Sequence, residues 1–454
     1  MDLASLARWA ACAGLSLGAA WCLPWQTMAA PLAWGLWVFV TVAALWVTQA
    51  LHVTATALLV PVLAVLVGVM PLREALTSFA HPVIFLFLGG FALAAALSRH
   101  GLDQVLVRSV LRLSGGHRLR AVMCLCAVAA VLSMWMSNTA TAVMMLPLAL
   151  ALLKSPPGVP EATSSERAFV LLALAYSASL GGVATVVGSP PNALAAAQSG
   201  LGFAAWLVRA GPLSLVLWVV SMVVMVVVLR PRLPGCVTQV EGPACPAWRW
   251  TAPRVTTLLI FVLAVVGWVA GAPLGRWLHL DADTDTFVAL AVVLALVGTG
   301  TITWREVERQ TQWGVLLLFG GGLVLSEVMR RTGASVFLAD AVLAVLHGAP
   351  VWLVLPVLLG FVIFLTELVS NTACAALLLP LLAPLGRALG VDEVALGVAV
   401  AAAASCAFML PVATPPNAIV FATDQVPQSI MMRCGVWLNL TCLFIIAGHT
   451  LFWA

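Results

Sequence analysis

Ser133-Met-Trp-Met-Ser137-Asn138-Thr139 and Thr366-Glu-Leu-Val-Ser370-Asn371-Thr372 are the two stretches on which the fold turns. Each lies inside a long apolar run. The first sits within 121–153, which holds no charged residue; the second sits within 350–386, where Glu367 is the one charge. As one straight helix the first run would measure about 50 Å at 1.5 Å per residue, against a hydrocarbon core of about 30 Å. Two full crossings joined by a polar loop need more residues than either run supplies. The arithmetic predicts a re-entrant hairpin in each run, two short helices meeting inside the membrane. Irregular backbone at that depth is tolerated only within protein or beside a water-filled cavity, so each hairpin tip is a candidate site.

The rest of the chain agrees with a bilayer as solvent. Of 454 residues, 63% are hydrophobic and 8% charged, with a mean hydropathy of +1.10. A water-soluble surface carries about 25% charged residues. This composition excludes a soluble enzyme, a disulfide scaffold and a disordered chain, and a net charge of +4 marks no nucleic-acid partner. Long Ala/Leu/Val runs exclude a membrane barrel, whose strands alternate. What remains is an all-α polytopic membrane protein of about eleven transmembrane helices. Residues 1–30 read as the first of these rather than as a signal peptide. Further helices are expected near 31–50, 53–70, 82–98, 210–229, 255–272, 286–301, 313–329 and 434–453.

The chain also repeats itself. Phe87-Leu-Gly-Gly matches Phe319-Gly-Gly-Gly, Arg99-His-Gly101 matches Arg331-Thr-Gly333, and Ser137-Asn-Thr-Ala140 matches Ser370-Asn-Thr-Ala373. Further on, Gly188-Ser-Pro-Pro-Asn192 matches Ala413-Thr-Pro-Pro-Asn417. Rare polar residues and prolines recurring in one order indicate duplication. The units are 31–230, with hairpin 121–153 and a broken helix at 168–200, and 254–454, with hairpin 350–386 and a broken helix at 393–422. Residues 231–253 form a cytoplasmic linker. Five crossings per unit invert the second relative to the first, and inverted repeats with broken helices in matching places point to a secondary transporter. With the N-terminus inside, 15 of 21 basic residues fall on the inner face, the bias expected of a cytoplasmic side. The amphipathic segments 99–117 and 331–348, each preceding a hairpin, read as surface arms linking a scaffold to a mobile domain.

At each tip, hydroxyls four residues apart share a helix face and Ser-Asn-Thr interrupts the helix. Freed carbonyls with Ser, Thr and Asn oxygens suit a small hard cation. The N-terminus of the second helix, with free N–H groups, suits an anion. Capping by Ser, Asn and Thr is part of the same arrangement. Pro-Pro in each broken helix removes donors and frees carbonyls. No Lys or Arg occurs at the tips, so an anion must be held by neutral donors and bound cations. The seven His residues lie outside the hairpins, and no nucleotide-binding or metalloprotease motif is present; nothing points to an enzyme.

With both Ser-Asn-Thr hairpins and both Pro-Pro-Asn breaks, the chain resembles the divalent anion–sodium symporter family, the sodium-coupled di- and tricarboxylate transporters. The resemblance covers essentially the whole chain. It implies one sodium site near Ser133, Ser137, Asn138 and Gly188, and a second near Thr366, Val369, Asn371 and Ala413. It implies contact with a small divalent anion through Asn138, Thr139, Ser189, Asn371, Thr372, Thr414 and Pro415. It further implies a homodimer in the plasma membrane and an elevator-like motion of the hairpin domain. The family also contains sodium-independent exchangers, and its substrates range from succinate, malate and citrate to sulfate.

Other carboxylates read as structural. Glu367, whose counterpart is Met134, is expected to turn away from the tip and pair within the hairpin domain rather than form a proton-linked or third cation site. Glu327 is expected to pair with Arg330 and Arg331. Asp281, Asp283 and Asp285 read as a solvated outer loop.

Overall fold

Prolines and small polar caps mark where the helices begin. Pro82 opens one helix and Pro31 and Pro253 stand in the first turns of two others, where a missing N–H is harmless. Thr163 with Glu166 and Thr303 with Glu306 form reciprocal capping boxes. The computed structural model describes residues 3–22, 28–102, 117–153, 161–232, 250–279, 283–346 and 348–453. The expected linker 231–253 and arm 99–117 fall largely outside these residues.

Helix α1 (Leu3–Cys22) comes first. The first half continues with α2 (Ala30–Thr48), α3 (Val53–Leu66), short α4 (Leu72–Thr77) and α5 (Pro82–Arg99). The helix pair α6 (Arg118–Ser133) and α7 (Asn138–Leu153) follows, then α8 (Ser164–Gly182), α9 (Pro190–Ser199) and α10 (Phe203–Leu229). The second half runs through α11 (Ala252–Val269), short α12 (Gly271–Leu278), α13 (Thr284–Gly298), short α14 (Trp304–Gln310), α15 (Trp313–Thr332) and α16 (Ala334–Leu346). Its helix pair is α17 (Val351–Leu368) and α18 (Asn371–Leu389), followed by α19 (Glu393–Ala404), α20 (Pro415–Phe421) and α21 (Gln428–Trp453).

Seven of these helices are long and apolar enough to cross a bilayer, and several shorter apolar ones accompany them. Helix α10 illustrates the division of faces. Trp206, Leu213 and Leu217 are buried, while Val208, Leu215, Val219, Val223 and Val227 are exposed along one stripe. An apolar stripe on the outside is costly in water and favourable in lipid.

The arms of the two helix pairs are longer than half-membrane pieces. They run 16, 16, 18 and 19 residues, about 24–29 Å at 1.5 Å each. At the open end of each pair one arm extends a few residues beyond the charge-free run and carries an arginine. Arg118 begins α6 and its Nε donates to the Leu152 carbonyl at 2.5 Å, closing the first pair. Arg387 stands in the last turn of α18 and meets Glu393 at 2.5 Å.

Between the halves, contacts recur with partners exchanged. A Cβ on Gly89 of α5 would lie 2.9 Å from the backbone of Ala289 in α13; a Cβ on Gly321 of α15 would lie 2.5 Å from the Ala57 carbonyl in α3. Gly321 is the repeat counterpart of Gly89, and Ala57 that of Ala289. Arg99 pairs with Glu306, while the counterpart Arg331 pairs with Glu74, the counterpart of Glu306. Phe87 and Phe319, counterparts of each other, meet edge to face at 4.9 Å. The matched Phe-x-Gly-Gly motifs are therefore crossing points at which each half grips the other. Glu327 also joins Arg330 and Arg331.

Overpacking a close crossing costs about 1–3 kcal/mol. Gly321→Ala should therefore lower the thermal stability of the detergent-purified protein. Gly448→Ala, with nothing within 4 Å of the added Cβ, should not. Equal unfolding temperatures for the two variants would remove the crossing from its structural role.

Candidate functional site

Two polar tips and two helix breaks gather inside the bundle. In the first half, α6 ends at Ser133 and α7 starts at Asn138. Ser133 Oγ lies 2.6 Å from the Ala178 carbonyl on α8 and 2.7 Å from the Asn138 carboxamide. That corner of Asn138 faces oxygens throughout. With its nitrogen there, it donates to Ser133 Oγ at 2.7 Å, Ala178 O at 3.1 Å and Gly188 O at 3.2 Å. With its oxygen there, the same atoms form an all-oxygen cradle in which the single Ser133 proton cannot serve every contact. The cradle is open because it is built on glycines. A Cβ on Gly188 would stand 2.5 Å from Gly182 O and 2.9 Å from Ser133 O, and one on Gly182 would stand 2.4 Å from Asn138 Oδ1.

The second half repeats this arrangement. Thr366 Oγ1 lies 2.8 Å from the Ala404 carbonyl and 2.9 Å from Asn371 Oδ1. Val369 is extended and buried between the two helices of the pair. Ala413 is buried at the end of the break, its N–H donating to Leu410 O at 3.2 Å.

The Ser of each Ser-Asn-Thr has a different task. Ser137 Oγ accepts from Ala140 N at 3.2 Å and Ser370 Oγ from Ala373 N at 3.3 Å, while their carbonyls accept from Thr141 and Cys374. Both oxygens of Ser137 thus take part in starting α7, and each keeps a lone pair beyond that bond. The first two N–H groups of α7, on Asn138 and Thr139, and of α18, on Asn371 and Thr372, have no acceptor within their own helices. Asn138, Thr139 and Asn371 are half-buried and Thr372 is buried.

The broken helices are held by residues that the sequence placed in a motif but gave no role. Asn192 is fully buried and its Nδ2 donates to Gly182 O, Val183 O and Thr185 O at 2.9, 3.2 and 2.7 Å. Asn417 does the same for Ala407 O and Leu410 O at 2.9 and 3.1 Å. Thr185 Oγ1 ties the first break to the tip through Met134 O at 2.5 Å. Tyr176 Oη donates to Phe408 O at 2.7 Å, joining α8 to the second break. Ser189 Oγ approaches Ser405 Oγ at 3.5 Å, linking the two breaks. Thr414 Oγ1 caps α20 through Asn417 N at 3.3 Å, and Pro415 opens that helix at an exposed position. The prolines at the starts of α9 and α20 leave no N–H unpaired there. The packing crosses over: α9 lies on α18 and α19, and α20 on α7 and α8.

Glu367 turns away from the tip. Its carboxylate accepts from the backbone N–H of Phe408, Met409 and Leu410 and from Asn439 Nδ2. Asp285 departs from the solvated-loop expectation. It lies in the first turn of α13, half-buried, and its Oδ2 accepts from Phe203 N at the start of α10 at 2.5 Å. An exposed helix N-terminus attracts a carboxylate, and a spacing pattern in sequence does not reveal a terminus from another part of the chain. Asp283 is exposed, and Asp281 lies outside the described residues. Beside this cap, Trp135 of the first tip stacks on Phe203 and Trp268, with centroids at 5.9 and 6.4 Å, and meets Phe261 edge-on at 5.4 Å.

Comparison with known proteins places this architecture. The model of the citrate transporter family matches residues 43–401. An uncharacterised transporter of Haemophilus influenzae is 42% identical over 428 residues, covering 92% of this chain and 91% of that one. The sodium-dependent dicarboxylate transporter SdcS of Staphylococcus saprophyticus is 32% identical over 441 residues, covering 91% and 84%. Among solved structures, MtrF of Neisseria gonorrhoeae superposes with a TM-score of 0.57 at 14% identity over 97% of both chains. The YdaH transporter of Alcanivorax borkumensis gives 0.55 at 15% identity over 84% of this chain and 87% of that one. At those identities the two structures share a fold with this chain and no more. The duplicated tips, the duplicated breaks and the family match over most of the length lead to one conclusion: the chain is a multi-pass membrane transporter belonging to the citrate transporter family, with sodium-dependent dicarboxylate transporters among its relatives.

Proposed function

We propose that the protein carries small di- or tricarboxylates of the succinate, malate or citrate type across the plasma membrane, driven by sodium. The observation that carries this reading is the pair of matching clusters of hydroxyl, carboxamide and main-chain carbonyl groups, each beside a helix N-terminus whose first two N–H groups have no acceptor within the helix. Sodium ions would sit at the cradles: Ser133, Ser137, Asn138 and Gly188 at one, Thr366, Val369, Asn371 and Ala413 at the other. One carboxylate would be received at Asn138 and Thr139 and another at Asn371 and Thr372, with Ser189, Thr414 and Pro415 around them. The relatives named as sodium-dependent dicarboxylate transporters support the choice of ion and anion. Absence of basic side chains at the tips supports an anion that must also leave.

Inverted repeats would set the two hairpins in the membrane from opposite faces, with the N-terminus cytoplasmic. In this reading α6–α10 and α17–α21 form a mobile domain, α2–α5 and α11–α15 a scaffold within a homodimer, and transport moves the first against the second. The cap from Asp285 to Phe203 and the Trp135–Trp268 stack then join the two bodies in one end state and must part in the other.

The direct test is anion uptake into proteoliposomes with and without an inward sodium gradient. Sodium should accelerate labelled succinate, malate or citrate uptake; equal uptake without sodium, with exchange against internal anion, would replace symport by exchange. Asn138→Ala and Asn371→Ala should each weaken sodium-driven uptake about ten- to a hundredfold, as loss of a charge-assisted contact of about 1.5–3 kcal/mol implies. Either variant retaining normal sodium-dependent uptake would remove its tip from the site.

The motion is tested by bridging cysteines that replace Trp135 and Trp268, in a background without the native cysteines, with a reducible bifunctional thiol reagent. Crosslinking should arrest uptake and reduction restore it. A formed crosslink with undiminished uptake would rule out the moving domain.

A further inference from the structure

Glu367 breaks the repeat. Its counterpart is Met134, and its side chain is 4% exposed. Oε1 accepts from Phe408 N at 2.8 Å, Met409 N at 2.9 Å and Asn439 Nδ2 at 2.8 Å; Oε2 accepts from Leu410 N at 3.1 Å. Four donors around two oxygens are what a carboxylate accepts. No basic residue forms an ion pair with it among the described residues.

The first half meets the same backbone need without a charge. There α8 continues to Gly182, and the next N–H groups find carbonyls of the last turn: Val183 N to Leu180 O at 3.3 Å and Ala184 N to Gly181 O at 3.1 Å. In the second half α19 ends at Ala404, before Ala407, which matches Gly182 through the Pro-Pro-Asn motif. The N–H groups at the counterpart positions, Phe408 and Met409, lose that turn and go to Glu367 instead. Their carbonyl side is held by Asn417 on Ala407 O and Leu410 O. Glu367 thus shapes the longer break while standing next to Thr366, whose hydroxyl lines the second cradle.

We propose that Glu367 is a positioning residue that holds the second break and supplies the second cradle with a fixed negative charge that the first cradle lacks. The two cation sites are then unequal, and the second binds sodium more tightly and fills first. The proposal rests on the sodium reading given above. A carboxylate buried among N–H groups alone remains an unneutralised charge in hydrocarbon, and a cation at the adjacent cradle relieves it. The charge acts through space on the ion, and the hydrogen bonds act through the backbone that presents the carbonyls.

The experiment is uptake at saturating succinate over a range of sodium concentrations, comparing wild type, E367Q, E367M and N439L in proteoliposomes. E367Q keeps an oxygen for three of the four donors and removes the charge; E367M copies the first half. N439L removes one donor and keeps the charge. E367Q and E367M should raise the sodium half-saturation about tenfold or more, the scale of losing a unit charge several ångströms from a cation at intermediate dielectric. E367Q should keep most of the maximal rate, and N439L should keep the wild-type half-saturation. A wild-type sodium curve in E367Q, or a shift in N439L equal to that in E367Q, would overturn the charge assignment while leaving the sodium sites in place. A pH dependence of wild-type uptake that vanishes in E367Q would also overturn it, by making Glu367 a proton carrier. A wild type indifferent to sodium would overturn the sodium reading itself, and this proposal with it. If the variants do not fold, hydrogen exchange on the wild type decides. The amides of Phe408, Met409 and Leu410 should exchange slowly and slow further with sodium; rapid exchange with sodium bound would end the proposal.

Discussion

Unwound backbone buried inside an apolar bundle must find every hydrogen-bond partner within the protein, since lipid offers none. The rest of the structure depends on that constraint. A transporter site made of main-chain carbonyls and N–H groups requires broken helices, and each break exposes polar groups that are costly to leave unpaired. Here the debt is met by a few side chains: Asn192 and Asn417 hold carbonyls, Thr185 bridges to Met134, Tyr176 reaches Phe408, and Glu367 gathers three consecutive N–H groups. The oxygens left facing the cradles are those that these side chains do not claim.

Duplication lets one solution serve twice, and it also binds the halves together. Gly89 with Ala289 and Gly321 with Ala57 are one crossing made twice, as are the ion pairs of Arg99 with Glu306 and Arg331 with Glu74. Each half supplies the glycine at one crossing and the alanine at the other, so neither half can change its interface without disturbing both. The helices that carry Pro-Pro-Asn cross over as well, each lying on the other half's hairpin. Symmetry is relaxed at particular points: the second break is longer, Glu367 replaces methionine, and the cap from Asp285 joins α13 to α10 where the counterpart region has Val53 and Thr54.

What the sequence made legible was whatever depends on local spacing. Run length against membrane thickness called for an interruption in each apolar run, and the helices stop at Ser133 and Leu368 and restart at Asn138 and Asn371; repeated Pro-Pro-Asn marks the helix starts at Pro190 and Pro415. Three-dimensional pairing left no such mark. Phe-x-Gly-Gly identified a repeat, yet nothing in it announced that Gly89 meets Ala289 of the other half. Asp285 resembled a loop residue because its partner, Phe203 N, comes from a helix start 82 positions away. Ser137 shows why residue type alone leaves a role open: capping and cation binding draw on the same residues, and geometry adds that its oxygens meet Ala140 N and Thr141 N. The arms nearly fill the charge-free runs, because each tip interrupts the helix for only two to four residues.

Neutral ligands at the tips would have a consequence for how a carrier of this build couples its cargo. A guanidinium at the tip would hold a carboxylate tightly whether or not a cation was present. N–H groups and amides alone hold a dianion weakly, because desolvating two charges against neutral donors returns less than it removes. Sodium at the adjacent cradles would supply the missing positive charge, and the dianion would in turn neutralise the cations. Each partner then raises the other's affinity by the same factor, as linkage requires. A domain carrying both would keep the charge of the empty domain, while the dianion alone would add two negative charges to the buried Glu367 carboxylate, which is strongly disfavoured. Coupling would therefore follow from the absence of Lys and Arg at the tips as much as from the residues that are there.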